Sequence, residues 1–409
     1  MGTKETNKKK EKWIKRRHYI VRDLVFLVLK PYVSWKYRVK VEPFKEQGKR
    51  PYLILMNHQT AYDQFFIGIA FKGPVYYLAT EDIFSIGWAS SLIRWLVAPI
   101  PIKKQATDVT AVMNCIRVAK EGGTIAIAPE GNRTYSGRTC YISPAIAVMA
   151  KKMKLPIALF RIEGGYGVHP RWSDVIRKGN MRAYVSEVIE PETIAALTND
   201  ELMERIEKGL NVDEATAEGE FHSDRRAEYL ERAMYVCPYC GLSTFESHGN
   251  EIECKKCNRK ITYGTDKWLA GNGFEFPFDF VAEWYEYQEN FINSLNLLEY
   301  TETPVYVDQA DVSEVIVYKH KRPMLKGADI RLYGDRIVIN EDEDHTLVFP
   351  FSEVTAAAVL GKNKLNIYHD KKVYQLKGDK RFNALKYVNF YYRYKNIIKG
   401  DAGGKFLGL

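Results

Sequence analysis

Tyr52-Leu53-Ile54-Leu55-Met56-Asn57-His58-Gln59-Thr60-Ala61-Tyr62-Asp63 joins an uninterrupted apolar run to a short polar turn. The short apolar run Tyr52 to Met56 reads as a strand. Ala61 to Phe71, after the turn, reads as a helix. The pattern continues outward from this unit. Lys36 to Glu42 and Val75 to Ala79 read as strands, and Val109 to Lys120 as a helix stopped by Gly122-Gly123. Thr124 to Ala128 is a further strand, ending at Pro129-Glu130-Gly131, and Ile157 to Ile162 and Arg182 to Val188 complete the set. Alternating elements of this kind predict an α/β domain, a sheet flanked by helices, over residues 46–225. The loops after its strands gather at one edge, where sites form.

His58 leaves a strand, and Asp63 follows too far along for a shared helical face. The turn between them can instead fold the carboxylate back onto the imidazole. Such a carboxylate fixes the tautomer and leaves the other ring nitrogen free as a general base. The chain has no Gly-x-Ser-x-Gly elbow, so the proton to be removed is the substrate's own hydroxyl proton. Alone, this pattern reads as readily as a loop histidine beside a helix-start aspartate. A second loop, Ala128-Pro129-Glu130-Gly131-Asn132-Arg133-Thr134, places backbone N–H groups and an arginine at a later strand end, an arrangement suited to phosphate. Between the two, Lys103 and Lys104 add cations in the loop from Pro101 to Asp108. One base and two cationic loops describe an acceptor that carries phosphate and loses a proton.

Residues Pro51 to Glu190 resemble the glycerolipid acyltransferase family, whose signature is Asn-His-x4-Asp, a basic second block and Pro-Glu-Gly-x-Arg. The resemblance implies transfer of a fatty acyl group from acyl-CoA or acyl-carrier protein to a glycerol-phosphate backbone. It implies His58 as base and Asp63 as its partner, with Lys103, Lys104, Glu130, Gly131 and Arg133 holding the acceptor. The expected reaction is that of a 1-acylglycerol-3-phosphate O-acyltransferase, turning lysophosphatidic acid into phosphatidic acid. Glycerol 3-phosphate or another lysophospholipid is the alternative acceptor. Lys104 stands where the family usually has Arg, and Ala128 and Asn132 where it has Phe and Thr. A proline expected within the fourth block is missing from Ile157-Ala158-Leu159-Phe160.

The 409 residues, 46% hydrophobic, suffice for two or three domains, and the net charge of +9 fits an anionic partner. Residues 1–45 form a basic arm, with Lys8, Lys9, Lys10, Lys12, Lys15, Arg16 and Arg17 leading into Trp13, Ile20, Leu24 and Val28. A basic segment feeding an apolar helix suits an anionic bilayer surface. Leu24 to Leu29 is too short to span a membrane. Ile83 to Ile102 is long enough but carries Arg94, Pro99 and Pro101, and reads as a buried or interfacial segment that can wall the acyl chain. The expectation is a cytoplasmic protein, peripheral to the cytoplasmic face of the membrane.

Cys237-x2-Cys240 and Cys254-x2-Cys257 have the spacing of a zinc ribbon over residues 230–265, with structural Zn²⁺ held by all four thiolates. Cys115 and Cys140 read as packing residues. A helical connector spans 266–300, with a helix from about Val281. Beyond it, short strands run over Glu314–Tyr318, Ala328–Tyr333, Arg336–Asn340, His345–Pro350, Val354–Val359, Lys364–Tyr368 and Val373–Lys377, with a closing helix Arg381–Ile398. Residues 301–409 therefore read as a mostly-β barrel that resembles a pleckstrin-homology or GRAM-like domain. The ribbon or this module is a candidate site for a protein partner; nucleic acid is not expected. A different class of reading, a ribbon-based binding protein with a degenerate acyltransferase domain, has the intact His58, Asp63, Glu130 and Arg133 against it.

Overall fold

The computed structural model describes residues 12–80, 83–102, 108–316, 319–341 and 345–401. The first unit contains α1 (Arg16–Tyr37), β1 (Val39–Val41), β2 (Leu53–Met56), α2 (Asp63–Ala70), β3 (Val75–Thr80), α3 (Trp88–Val97) and β4 (Ile100–Ile102). It continues with α4 (Val109–Lys120), β5 (Thr124–Ile127), α5 (Ala145–Met153), β6 (Ile157–Glu163), α6 (Gly165–Val168), β7 (Met181–Ile189), α7 (Pro191–Ala196) and α8 (Asn199–Leu210). Its strands form a seven-stranded sheet in the order β1-β7-β6-β2-β5-β3-β4. All neighbours are parallel except β6 and β7.

The unbroken apolar run of β2 follows from its central place. Leu53 and Leu55 pack with Ile125, Ile157 and Leu159 under the helices α4, α5 and α8. Ile54 and Met56 face the other way, with Ala126, Ala158 and Phe160, under Val33 and Tyr37 of α1 and Phe66 and Ile67 of α2. Period-two geometry thus sends every side chain of β2 into one core or the other. The α1 helix lies close on α2: a Cβ at Gly68 would come within 2.0 Å of the Phe26 ring tip, which would then have to move.

The second unit has the hairpin β8 (Val236–Cys237) and β9 (Gly241–Leu242), then the antiparallel sheet β10 (Phe245–His248), β11 (Glu251–Cys254), β12 (Lys260–Tyr263) and β13 (Leu269–Gly271). Helix α9 (Val281–Ser294) leads to seven antiparallel strands, β14 (Tyr306–Ile316), β15 (His320–Leu332), β16 (Arg336–Ile339), β17 (Leu347–Pro350), β18 (Ala356–Leu360), β19 (Lys364–His369) and β20 (Lys372–Gly378). Their order is β17-β16-β15-β14-β20-β19-β18, a half-barrel closed by α10 (Leu385–Ile398). One core runs through the cysteine-bearing hairpins, α9, this sheet and α10, and reaches Tyr135 and Trp172 of the first unit.

Several expectations are corrected. The strand expected from Lys36 begins only at Val39, because α1 stays helical through Tyr37 with Pro31 inside it. β1 pairs with β7, so the sheet begins within the stretch assigned to the arm. Ile83 to Ile102 is not one segment but a 3-10 turn, α3 and β4, and Trp88, Leu92 and Trp95 of α3 face outward, away from a closed core. The cysteine-bearing sheet extends past residue 265, since β13 pairs with β12. β14 starts at Tyr306, ahead of the expected Glu314, and Val317 and Tyr318 lie outside the described residues. The closing helix starts at Leu385, with Arg381 and Asn383 tied to residues of the second unit. No helix among the described residues is long and apolar enough to cross a membrane.

Candidate active site

β2 and β5 are parallel neighbours, so the loops that follow them emerge side by side. Asn57 ends β2 by continuing its ladder with a side chain: its amide donates to the Ile162 carbonyl and its oxygen accepts from the Ile162 N–H, both at 2.8 Å. That double bond pins the loop to β6. His58 Nδ1 lies 2.9 Å from Asp63 Oδ2. Asp63 is fully buried at the first turn of α2 and also accepts from the Gln59 N–H (2.7 Å), the Thr60 N–H (2.9 Å) and the Thr60 hydroxyl (2.6 Å). The turn from Gln59 to Tyr62 therefore wraps the carboxylate and brings it back to the ring. His58 Nε2 has no hydrogen-bond partner among the described residues, and the side chain is 24% exposed. A base held on one nitrogen and open on the other is the arrangement that proton abstraction requires.

The second loop is bound to the first. Glu130 Oε1 accepts from the His58 N–H at 2.9 Å and Oε2 from the Cys140 N–H at 2.8 Å. The Thr134 N–H bonds to the His58 carbonyl at 3.4 Å. Glu130 is buried, and both of its oxygens accept from backbone N–H groups, so it ties the two loops together. Gly131 sits at φ +71°, and its N–H closes a turn onto the Ala128 carbonyl, so it too is occupied. Arg133 of this loop has capacity left: its Nη1 is buried without a hydrogen-bond partner among the described residues. Burial, reinforced by the neighbouring Arg171 charge, pushes its guanidinium down to about 10. Lys103 and Lys104 lie outside the described residues.

Burial pushes the Glu130 carboxyl up to about 7 from 4.5, against the pull of its two backbone donors. Its folded-state value lies above its unfolded one, so folding takes up a proton between those two pH values. The contribution of this group to stability therefore declines as pH rises through that window. Glu130→Gln is expected to reduce the loss of melting temperature between pH 5 and pH 8. It should also lower stability by about 1–3 kcal/mol, because an amide nitrogen cannot accept one of the two N–H groups. Thermal melts at the two pH values check both outcomes.

Sequence reasoning missed Asn57 and Thr60 as parts of this site. Asn57 is the first residue of the Asn-His-x4-Asp signature, which was the signal for it, whereas Thr60 carries none beyond being a short polar residue in the turn. It also missed Tyr37, His169 and Arg171, which flank the pair from elements far away in the chain. Arg171 is buried, stacks 4.2 Å over the Tyr135 ring, and donates to the Arg133 carbonyl at 2.9 Å.

Away from this edge, Cys237, Cys240, Cys254 and Cys257 bring their sulfurs within 4.8 Å of one another. Cys237 and Cys257 are 3.9 Å apart, and Cys240 and Cys254 are 3.5 Å apart. A tetrahedral zinc with bonds of about 2.3 Å sets its sulfurs about 3.8 Å apart, so the donor set and its spacing fit that ion.

Residues 36–162 match the family model described as Acyltransferase. The chain is similar to a chloroplastic 1-acyl-sn-glycerol-3-phosphate acyltransferase of Arabidopsis thaliana, 23% identical over 195 residues, covering 46% of this chain and 52% of that one. A second chloroplastic enzyme of this name, from Brassica napus, is 24% identical over 169 residues, covering 40% and 47%. The 1-acyl-sn-glycerol-3-phosphate acyltransferase of Bacillus subtilis (strain 168) is 20% identical over 161 residues, covering 39% and 77%. The chain thus spans about half the length of the chloroplastic relatives. Among solved structures, the 1-acyl-sn-glycerophosphate acyltransferase PlsC of Thermotoga maritima aligns with 47% of this chain and 77% of its own, at TM-score 0.39 and 22% identity. Residues 36–162, which match that model, carry the His58–Asp63 pair and the Arg133 loop.

Proposed function

We propose that the chain acylates the free hydroxyl of lysophosphatidic acid, forming phosphatidic acid, with acyl-CoA or acyl-carrier protein as donor. The observation that carries this reading is the His58–Asp63 pair, with Nδ1 engaged and Nε2 open, beside the unpartnered Arg133. His58 Nε2 takes the proton from the acceptor hydroxyl as its oxygen attacks the thioester carbonyl. The tetrahedral intermediate then expels the thiolate, which receives the proton from His58. Asp63 holds the ring and stabilises the imidazolium between the two steps. Arg133 pairs with the acceptor phosphate, and Lys103 and Lys104 are proposed to add charge for the same group.

The acceptor is an amphiphile, and the exposed surface suits collecting it from a bilayer. Ile20, Leu24, Leu27 and Val28 of α1 and Trp88, Leu92 and Trp95 of α3 are exposed. The two helices are joined where Arg17 donates to the Trp95 carbonyl at 2.9 Å. Arg16, Arg22, Lys30 and Lys36 add positive charge along α1. The proposed location is the anionic cytoplasmic face of a membrane, where reduced thiols also persist. The double variant Leu24→Glu/Leu27→Glu is expected to weaken binding to vesicles containing phosphatidylglycerol at least about tenfold. Co-sedimentation measures this, and unchanged binding would remove α1 from the membrane face.

In the second unit, a structural zinc on the four cysteines holds the two hairpins together and takes no part in the reaction. The half-barrel with its closing helix supports a pleckstrin-homology-like reading. Either part is a candidate surface for a protein partner.

An acceptor panel tests the function: lysophosphatidic acid, glycerol 3-phosphate, lysophosphatidylcholine and monoacylglycerol, each with both donors. The expected order places lysophosphatidic acid first and the phosphate-free monoacylglycerol last. Transfer to monoacylglycerol at an equal rate would remove the phosphate from the reading.

A further inference from the structure

The β18–β19 hairpin of the second unit reaches the edge of the acyltransferase domain. Lys362 Nζ, in its loop, lies 2.7 Å from Asp174 Oδ1, 2.5 Å from the Ser173 carbonyl and 3.3 Å from His169 Nε2. The buried His169 in turn places Nδ1 3.0 Å from the hydroxyl of Tyr37, the last residue of α1. An ammonium held by a carboxylate has only protons to give, so Nε2 must accept and the single ring proton resides on Nδ1. Burial, and then the Lys362 charge, push His169 down to about 3, which keeps it neutral. Nδ1–H therefore donates to the Tyr37 oxygen. The hydroxyl proton of Tyr37 is left without an acceptor among the described residues.

Tyr37 is buried at the catalytic edge. Its ring centroid lies 5.0 Å from that of Tyr62, the residue before Asp63, and the charges of Asp63 and Arg133 both reach its hydroxyl. The same hairpin takes a second grip: the Val359 carbonyl accepts from Arg171 Nη2 at 3.3 Å, while Arg171 Nη1 holds the Arg133 carbonyl at 2.9 Å. Arg171 has no carboxylate partner among the described residues, and its charge lies against that of Arg133, which the Asp63 carboxylate offsets only in part. Such a cluster favours a bound anion.

We infer that the second unit completes the acceptor site: through Lys362 and His169 it leaves the Tyr37 hydroxyl as a hydrogen-bond donor to the acceptor phosphate, beside Arg133, which Arg171 holds in place. Tyr37 touches the phosphate, whereas Lys362, His169 and Arg171 are positioning residues. The inference rests on the phosphate-bearing acceptor proposed above.

Steady-state kinetics on the full chain test it, with wild type, Tyr37→Phe, Lys362→Met, the double variant and Lys362→Arg. Each of the first two variants is expected to raise the acceptor KM about tenfold, by loss of one hydrogen bond to a charged group, with kcat and donor KM within about twofold. The double variant should be no worse than either single one, because both remove the same donor. Lys362→Arg, also a donor only, should restore most of the binding. An unchanged acceptor KM in Lys362→Met, a fall in kcat instead, or a double effect of about a hundredfold would overturn the inference. If the wild type transfers no acyl group, the acylation reading fails by itself. Calorimetric binding of glycerol 3-phosphate to the same variants then decides the inference, on the same tenfold expectation. Melting temperatures identify a variant that unfolds, in which case Tyr37→Phe and Lys362→Arg carry the test.

Discussion

Replacing His58 by alanine is expected to lower kcat by about 10²–10⁴-fold while the acceptor KM stays near its wild-type value. Among the described residues the ring offers this edge an open basic nitrogen, and its backbone N–H and carbonyl are fixed by Glu130 and Thr134 whatever the side chain is. Removing the imidazole therefore removes a base from a loop that keeps its shape. Arg133 remains to hold the phosphate, which is why binding should survive. Asp63→Asn should cost a similar factor for a different reason. Asp63 accepts from two N–H groups, one hydroxyl and the ring of His58. An amide has one oxygen for these donors, and its NH₂ facing Nδ1 would favour the wrong tautomer. Steady-state rates with saturating acceptor check both variants. Wild-type kcat in His58→Ala would exclude it as the base.

Cys254→Ser is expected to release zinc and to unfold the cysteine-bearing hairpins together with much of the second unit. Cys254 ends β11, is buried, and also lies 3.0 Å from the Ser243 hydroxyl. Zinc bound by four thiolates contributes on the order of 10–16 kcal/mol of apparent folding free energy in small ribbons at neutral pH. That is comparable with the roughly 5–15 kcal/mol by which whole domains are stable. The damage should not stay local, because the hairpins share one core with α9, the half-barrel and α10. Arg381 also clamps Glu228 and Glu231 across the same region. Metal analysis should find one zinc per chain in the wild type, and strong chelation should produce the same unfolding as the variant. A wild type free of zinc with an unchanged melting temperature in chelator would remove the metal from the account.

The central sheet was readable because β2, β5 and β6 are buried on both faces, and burial of that kind leaves unbroken apolar runs. The His58–Asp63 and Arg133 loops were readable because each is a short motif at the end of such a run. The extent of α1 was not, since Arg22, Asp23, Lys30 and Pro31 interrupt its apolar pattern. It is helical to Tyr37 because Val33 and Tyr37 pack onto the sheet. The occupied oxygens of Glu130 were equally hidden, because the backbone N–H groups of His58 and Cys140 that engage them carry no residue-type signal. Hardest to read was the contact of Lys362 with His169 and Asp174, which joins residues separated by nearly half the chain and follows no periodicity. Local patterns report which face of an element is buried; they do not report which distant loop covers it.

The most direct test of the acylation chemistry is mass-spectrometric product analysis. The full chain, in vesicles containing phosphatidylglycerol, is given isotopically labelled lysophosphatidic acid with acyl-CoA or acyl-carrier protein. The expected result is phosphatidic acid bearing the donor acyl group on the formerly free hydroxyl, formed by the wild type and almost absent with His58→Ala. Thioester hydrolysis without acylated product, or equal product from His58→Ala, would contradict it.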